Sequence, residues 1–389
     1  MKNITEQQDA NDLIARAAEG RWSEQQAADW YAAQPWPVGC NFLPSCASNQ
    51  LEMWQAESFN PAIIRRELGW LADIGMNTVR VFLHDLLWRQ DSNGFLARMD
   101  RFLAIAHALE IRPMFVLFDS CWHPFPRLGQ QDEPEPGVHN SRWLQSPGLW
   151  TLKHKNPSAA FDRLRPYVTG VIRHFRDDPR VLAWDLWNEP DNSNTISRAP
   201  RDFPTAQAKG EAVFPLLAKT FQWAREAGAA QPLTSGIWCG SWETDDDLAA
   251  HAPLGRLQVC ASDVVSFHCY APLAATHEKV KRLQRFGRPL LCTEYMARPT
   301  GSTFEAILPY FQQEGIAAFN WGAVEGRSQT HYPWDSWQMP YASEPQPWFH
   351  DIFRTDGTPY LEEETKLIKK LTGVTRQGGL SERPPLCVV

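Results

Sequence analysis

Strand-sized apolar runs alternate with helix-sized amphipathic ones along most of this 389-residue chain. After a polar stretch over residues 1–35, residues 36–43 read as a strand. Asn60 then stands as a helix N-cap with Pro61 at the first helical position. Ile64, Leu68, Leu71 and Ile74 form one face, and Gly75 stops the helix. Further strands are expected over 78–83, 114–118, 181–187, 233–238, 264–268, 290–293 and 316–321. Helices are expected over 96–109, 206–227, 275–286 and 303–313, with a weaker one near 245–250. Phe161, Leu164, Val168, Ile172 and Phe175 stripe one more. Thr358-Pro359 reads as the cap of a last helix, whose first turn carries Glu362 to Glu364, where carboxylates suit the helix dipole.

Strands that are continuous apolar runs are buried on both faces, as parallel strands are. Alternation with helices allows a doubly wound open sheet or a closed barrel. A barrel typically needs about 250 residues, which leaves room here for long loops. The expected fold is therefore α/β: a single (β/α)8 TIM barrel over 36–372, with a helical, polar arm at 1–35 and a tail at 373–389. Two loops stand out, 120–157 after strand three and 322–350 after strand eight, both rich in proline and tryptophan. They fall on the face where barrel active sites lie, and loops of such length are more often functional than not.

Composition narrows the function. The chain is 43% hydrophobic and 21% charged, as expected of a globular protein with a sizeable core. Its net charge of −7 gives no basic footprint for nucleic acid or anionic membrane. No apolar stretch approaches the roughly 18 residues of a membrane span. The first residues lack the apolar stretch of a secretory signal, so a cytoplasmic protein is expected. Eight scattered cysteines without a CxxC pair read as buried reduced thiols. Eighteen tryptophans against 8 tyrosines are a surplus of flat apolar surface. Trp122, Trp143, Trp334 and Trp337 lie in the two long loops, where burial is harder to achieve. The C–H face of a sugar stacks on indole, so some of these are expected to be sugar platforms.

Two glutamates close apolar strands. Glu189 ends Val-Leu-Ala-Trp-Asp-Leu-Trp-Asn-Glu, and Glu294 ends Pro-Leu-Leu-Cys-Thr-Glu. They lie three strand–helix repeats apart, on strands four and seven, and so face each other across a barrel mouth. Paired carboxyl groups suit a glycosidic bond: one protonates the leaving oxygen and the other attacks the anomeric carbon. Dinucleotide, Walker, HExxH and GxSxG motifs are missing, and neither a metal nor another cofactor is expected.

Trp-Asn-Glu-Pro at 187–190 and Thr-Glu-Tyr at 293–295 resemble clan A of the glycoside hydrolases, and within it family 5, the cellulase and mannanase family. The resemblance runs roughly from strand one to strand eight. It implies a retaining β-glycoside hydrolase with Glu189 as acid/base and Glu294 as nucleophile. It further implies that Arg80, in Thr-Val-Arg-Val-Phe, holds the nucleophile ionised and that Asn188 bonds the sugar 2-hydroxyl. His268 and Tyr270 match the family's His-x-Tyr, the tyrosine orienting the nucleophile, and Trp321 matches the tryptophan under the sugar. The family's strand-three histidine has no clean match, since Asp119 ends that strand and His123 comes later. Asp119, His84, Trp122 and Trp334 complete the substrate-binding candidates, although a lone histidine such as His84 is more often structural. The expected partner is a β-linked oligosaccharide or glycoside. The alternatives are a carbohydrate-binding barrel without turnover, or an endo-acting xylanase, mannanase or glucanase.

Overall fold

The structure, a computed structural model, describes residues 2–198, 201–239 and 253–374. Its strands are β1 (Val38–Asn41), β2 (Thr78–Phe82), β3 (Arg112–Val116), β4 (Ala183–Asp185), β5 (Leu233–Thr234), β6 (Val265–His268), β7 (Leu290–Tyr295) and β8 (Ala317–Asn320). They pair in parallel in the order β5-β4-β3-β2-β1-β8-β7-β6. An isolated parallel bridge between Ile237 and Phe267 joins the two ends. The result is a single (β/α)8 barrel.

Register sets the later chemistry. Asn41 lies beside Arg80, and a shift after Phe267 brings His268 level with Glu294. β1 and β2 approach so closely that a Cβ on Gly39 would sit 1.8 Å from the Thr78 carbonyl oxygen, so only glycine fits there. Helices Pro61–Asp73, Ala206–Glu226 and Phe304–Gln313 start where side chains of Asn60, Thr205 and Thr303 accept backbone N–H bonds.

Most differences from expectation are at element ends. β5 stops at Thr234 rather than 238, because beyond it the chain carries only the single bridge at Ile237. The helix expected over 96–109 runs from Asp85 to His107 with a break at Asp91. Its first turn was hidden because it lacks a clean apolar stripe. Thr358 does not cap the last helix: its hydroxyl bonds Asp356, and helix Glu362–Thr372 begins after Leu361. The helix expected near 245–250 lies outside the described residues, and helix Pro253–Ala261 follows instead.

Residues ahead of the barrel form α1 (Lys2–Ala18) and α2 (Glu24–Ala32). Arg21 and Trp22, between them, bond Val259, Ser262 and Asp263, tying this arm to the barrel. Ala27 of α2 packs with Met114, Ala183, Leu291, Ala317 and Phe319, so the floor of the barrel is apolar. Its upper layer holds the buried polar groups Asn41, Arg80, Asp185 and Thr293. No disulfide joins the cysteines among the described residues, and Cys40, Cys121, Cys269 and Cys292 are buried. No helix among the described residues is long and apolar enough to cross a membrane.

At the other end the two long loops close on each other. Asn140 N donates to Ser328 O, Tyr341 N to Gly137 O, and His139 N to the Ser336 hydroxyl. Trp122 stacks on Trp337 with ring centroids 5.3 Å apart and planes 27° off parallel.

Candidate active site

Arg80 is the hub beneath the barrel mouth, with no solvent exposure. Its Nε and Nη2 donate to Asp185 Oδ2 at 3.0 and 2.7 Å, and Nη2 also reaches Asn188 Oδ1 at 2.7 Å. Nη1 bonds Asn41 Oδ1 at 2.8 Å and Glu294 Oε1 at 3.0 Å. One planar fork thereby fixes side chains from β1, β4, the β4 loop and β7. Two carboxylates around it outweigh burial and keep the guanidinium charged. Its ion pairs are thus to Asp185 and Glu294.

The second oxygen of Glu294 accepts from the Tyr270 hydroxyl at 2.8 Å. Glu189 sits opposite with its backbone at φ +42°, in the left-handed region that costs a non-glycine residue about 1–2 kcal/mol. This kink turns its side chain across the mouth. Its Oε1 lies 2.8 Å from His268 Nδ1, which is 3.5 Å from Glu294 Oε2. Its Oε2 accepts from Asn192 Nδ2 at 2.6 Å and from the Cys121 thiol at 3.3 Å.

One atom each of Glu189, His268 and Glu294 lie within 4.8 Å of one another. Three such atoms could ligate a cation, but Arg80 already supplies Glu294 with a positive charge at 3.0 Å. Oxygens of the two glutamates within 4.8 Å of each other put the carboxyls close together across the mouth, as a retaining pair at roughly 5–5.5 Å needs. Burial raises both carboxyls, Glu294 to about 7 against the pull of His268, Arg80 and Tyr270. Two close, buried carboxyls cannot both ionise cheaply, so each favours a proton on the other. Burial pushes His268 down to about 3, so its ring is neutral.

These groups open into a cleft of about 250 Å³ lined by Trp122, Asn188, Glu189, Trp238, Tyr270, Glu294, Trp321 and Trp334 among others. Trp334 packs edge-on against Tyr270 with centroids 5.0 Å apart. Of the sequence candidates, all but two meet at this cleft or directly beneath it. His84 is fully buried and its Nδ1 accepts from Leu86 N, starting helix Asp85–His107. Asp119 lies behind the cleft: its carboxylate accepts from Asn188, Gln50, Trp143 and the Cys121 amide, and so braces Asn188. Trp143 and Trp337 are buried supports rather than platforms, Trp143 packing on Trp321 at 5.5 Å.

Sequence reading missed Asn41, Cys121, Asp185, Asn192 and Trp238. Asp185 had a signal: a carboxylate inside an apolar strand needs a buried cation, and Arg80 was the available one. Cys121 and Asn192 had none, since only the meeting of two loops gives them a shared partner.

A model of the cellulase family, glycosyl hydrolase family 5, matches residues 70–337. The chain belongs to glycosyl hydrolase family 5. No curated protein sequence matches it. Solved structures share the fold of this family 5 chain at low identity. The GH5_18 protein from Streptomyces cattleya, crystallised with Manb1-4GlcNAc, is 13% identical with a TM-score of 0.55, over 90% of this chain and 83% of the other. The exo-beta-1,4-mannosidase Op5Man5 from Opitutaceae bacterium strain TAV5 is 20% identical with a TM-score of 0.58, over 87% of this chain and 60% of its own. The endo-beta-1,4-mannanase from Thermotoga petrophila is 13% identical with a TM-score of 0.54, over 88% and 77%. Membership makes this barrel an O-glycosyl hydrolase of a retaining family.

Proposed function

We propose that this family 5 enzyme removes sugars from the end of short β-linked oligosaccharides, with Glu294 as nucleophile and Glu189 as acid/base. The observation that carries the reading is the asymmetry of the pair. Glu294 has the cation Arg80 on one oxygen and the Tyr270 hydroxyl on the other, while Glu189 has only neutral partners. The anion is favoured on Glu294 and the shared proton on Glu189.

In the first step Glu294 attacks the anomeric carbon while Glu189 delivers its proton to the leaving oxygen. In the second, Glu189 takes a proton from water, which attacks the same carbon and releases Glu294. Asn188, oriented by Arg80 and Asp119, faces the cleft where the sugar 2-hydroxyl would sit. Trp321 and Trp334 line the cleft, where indole can stack on a sugar ring. The loops after β3 and β8 are joined to each other and bring Trp122 and Trp334 to the cleft, which supports a partly walled site and action at a chain end. β-Mannosides are the first substrates to try, because two of the similar structures are named as a β-mannosidase and a β-mannanase.

Proton NMR of the first-formed sugar tests the mechanism. The β-anomer is expected to appear first; initial release of the α-anomer would refute retention. Product profiling on a polymer tests the chain-end reading, which a ladder of mid-length products with rapid viscosity loss would contradict.

A further inference from the structure

We propose that Asn192 and Cys121 are positioning residues for Glu189, two donors on Oε2 that hold its rotamer and set the pH at which it gives up its proton. This rests on the reading of Glu189 as the acid/base. The two donors come from different loops, Cys121 from the segment after β3 and Asn192 from the segment after β4. Both meet one carboxylate oxygen, at 3.3 and 2.6 Å.

The orientation of the Asn192 amide is fixed by its other end. Its Oδ1 accepts from Asn194 N at 2.9 Å, so its Nδ2 must face Glu189. Asn194 in turn accepts from Trp122 N and donates to Ser120 O, which locks the β4 loop onto the residues flanking Cys121. The Cys121 sulfur lies 3.5 Å from both Asn188 Nδ2 and Asn192 Nδ2, whose hydrogens it accepts, leaving its own hydrogen for Glu189. Burial and the surrounding carboxylates hold the thiol protonated, as a donor must be. A chain of neutral bonds therefore spans the two loops and ends on the oxygen of Glu189 that His268 does not touch.

Such donors stabilise the carboxylate form against burial, which favours the acid. The other titratable and charged groups around Glu189 act from fixed places. Arg80 and Glu294 belong to β2 and β7, His268 and Tyr270 to β6 and its loop, Asp119 to the β3 end, and Asp191 to its own loop. Lys279, on helix Leu273–Gln284, reaches the His268 carbonyl. Cys121 and Asn192 are thus neutral levers on a group whose charged neighbours are set by the barrel.

The test is the pH dependence of kcat/KM on a natural β-glycoside with the full-length enzyme. Asn192→Ala removes the shorter donor, so Glu189 keeps its proton to higher pH. The alkaline limb should move up on the order of one pH unit, with KM changed less than about twofold. Asn192→Asp, which puts an anion at the same place, should move it further. Cys121→Ala should give a smaller shift in the same direction, and Cys121→Ser, which keeps a donor, should return the limb towards its original position. An unmoved limb in both Asn192 variants, or a loss expressed only in KM, would overturn the proposal and make Asn192 a sugar contact. Glu189→Ala measured in parallel separates the two levels. If it cleaves the natural glycoside normally, the acid/base reading itself fails; if it is inactive while the Asn192 variants keep the original limb, only this inference fails.

Discussion

The two carboxylates at the mouth of this barrel are held in different ways. Glu294 lies within a strand, and its donors Arg80 and Tyr270 stand on or next to strands whose register is fixed by the barrel ladder. Glu189 lies just past a strand in a left-handed backbone kink, and two of its three partners, Cys121 and Asn192, come from loops. Geometry around Glu294 is therefore a property of the barrel, while geometry around Glu189 is a property of how two loops meet. A chain built this way can retune Glu189 without disturbing Glu294.

Removing the carboxylates themselves should break that comparison most severely. Glu294→Gln is expected to abolish turnover on every substrate, whatever its leaving group, because no nucleophile remains. Glu189→Gln is expected to spare the first burst from dinitrophenyl glycosides, which leave without a proton, and to lose natural glycosides. Equal loss on both substrate types in both variants, in burst kinetics, would contradict the division of roles.

Next in size is the hub. Arg80→Leu leaves Asp185 and Glu294 buried without their cation, and breaking such a pair costs about 3–5 kcal/mol. Denaturant unfolding should show that loss, and a change below about 1 kcal/mol would mean the carboxylates simply protonate at little cost.

A single donor should matter less. Tyr270→Phe removes one bond to the Glu294 anion, so the proton is lost only at higher pH. The acid limb of kcat/KM is expected to move upward, and the rate below neutrality to fall on the order of tenfold. An unchanged acid limb would assign the hydroxyl to substrate instead.

The smallest effect concerns the wall rather than the chemistry. Burial pushes His139 and His331 down to about 4, so the folded protein keeps them neutral while the unfolded chain protonates them near 6.5. Stability is thus full above that pH and is lost as pH falls from about 6.5 towards 4. His139→Gln should flatten this part of the stability curve in thermal melts across pH, and an identical curve would place the acid sensitivity elsewhere.

Much of this was legible in the sequence where strands dictate position. Glu189, His268, Tyr270, Glu294 and Trp321 end or follow apolar runs, Arg80 lies inside one, and the barrel brings them together. What was not legible lies where contacts depend on loop paths. Asp119 looked like a sugar contact from its place at a strand end, yet Trp143 and Gln50 turn it into a buried brace. His84 follows a strand too, but it starts a helix whose first turn carried no periodic signal. Trp122 and Trp337 both lie in the long loops, and it is the folded path of those loops that puts Trp122 on the cleft and Trp337 stacked against it. Cys121 and Asn192 are 71 residues apart and share no pattern; the kink at Glu189 is what joins them.

The central claim is that Glu294 attacks and Glu189 carries the proton, and azide rescue read by proton NMR tests it most directly. Glu294→Ala supplied with an activated β-glycoside and azide should give the α-glycosyl azide, because azide replaces the nucleophile in a single inversion. Glu189→Ala treated in the same way should give the β-azide, because azide attacks the intermediate already formed on Glu294. The same anomer from both variants, or the two anomers exchanged, would contradict the assignment.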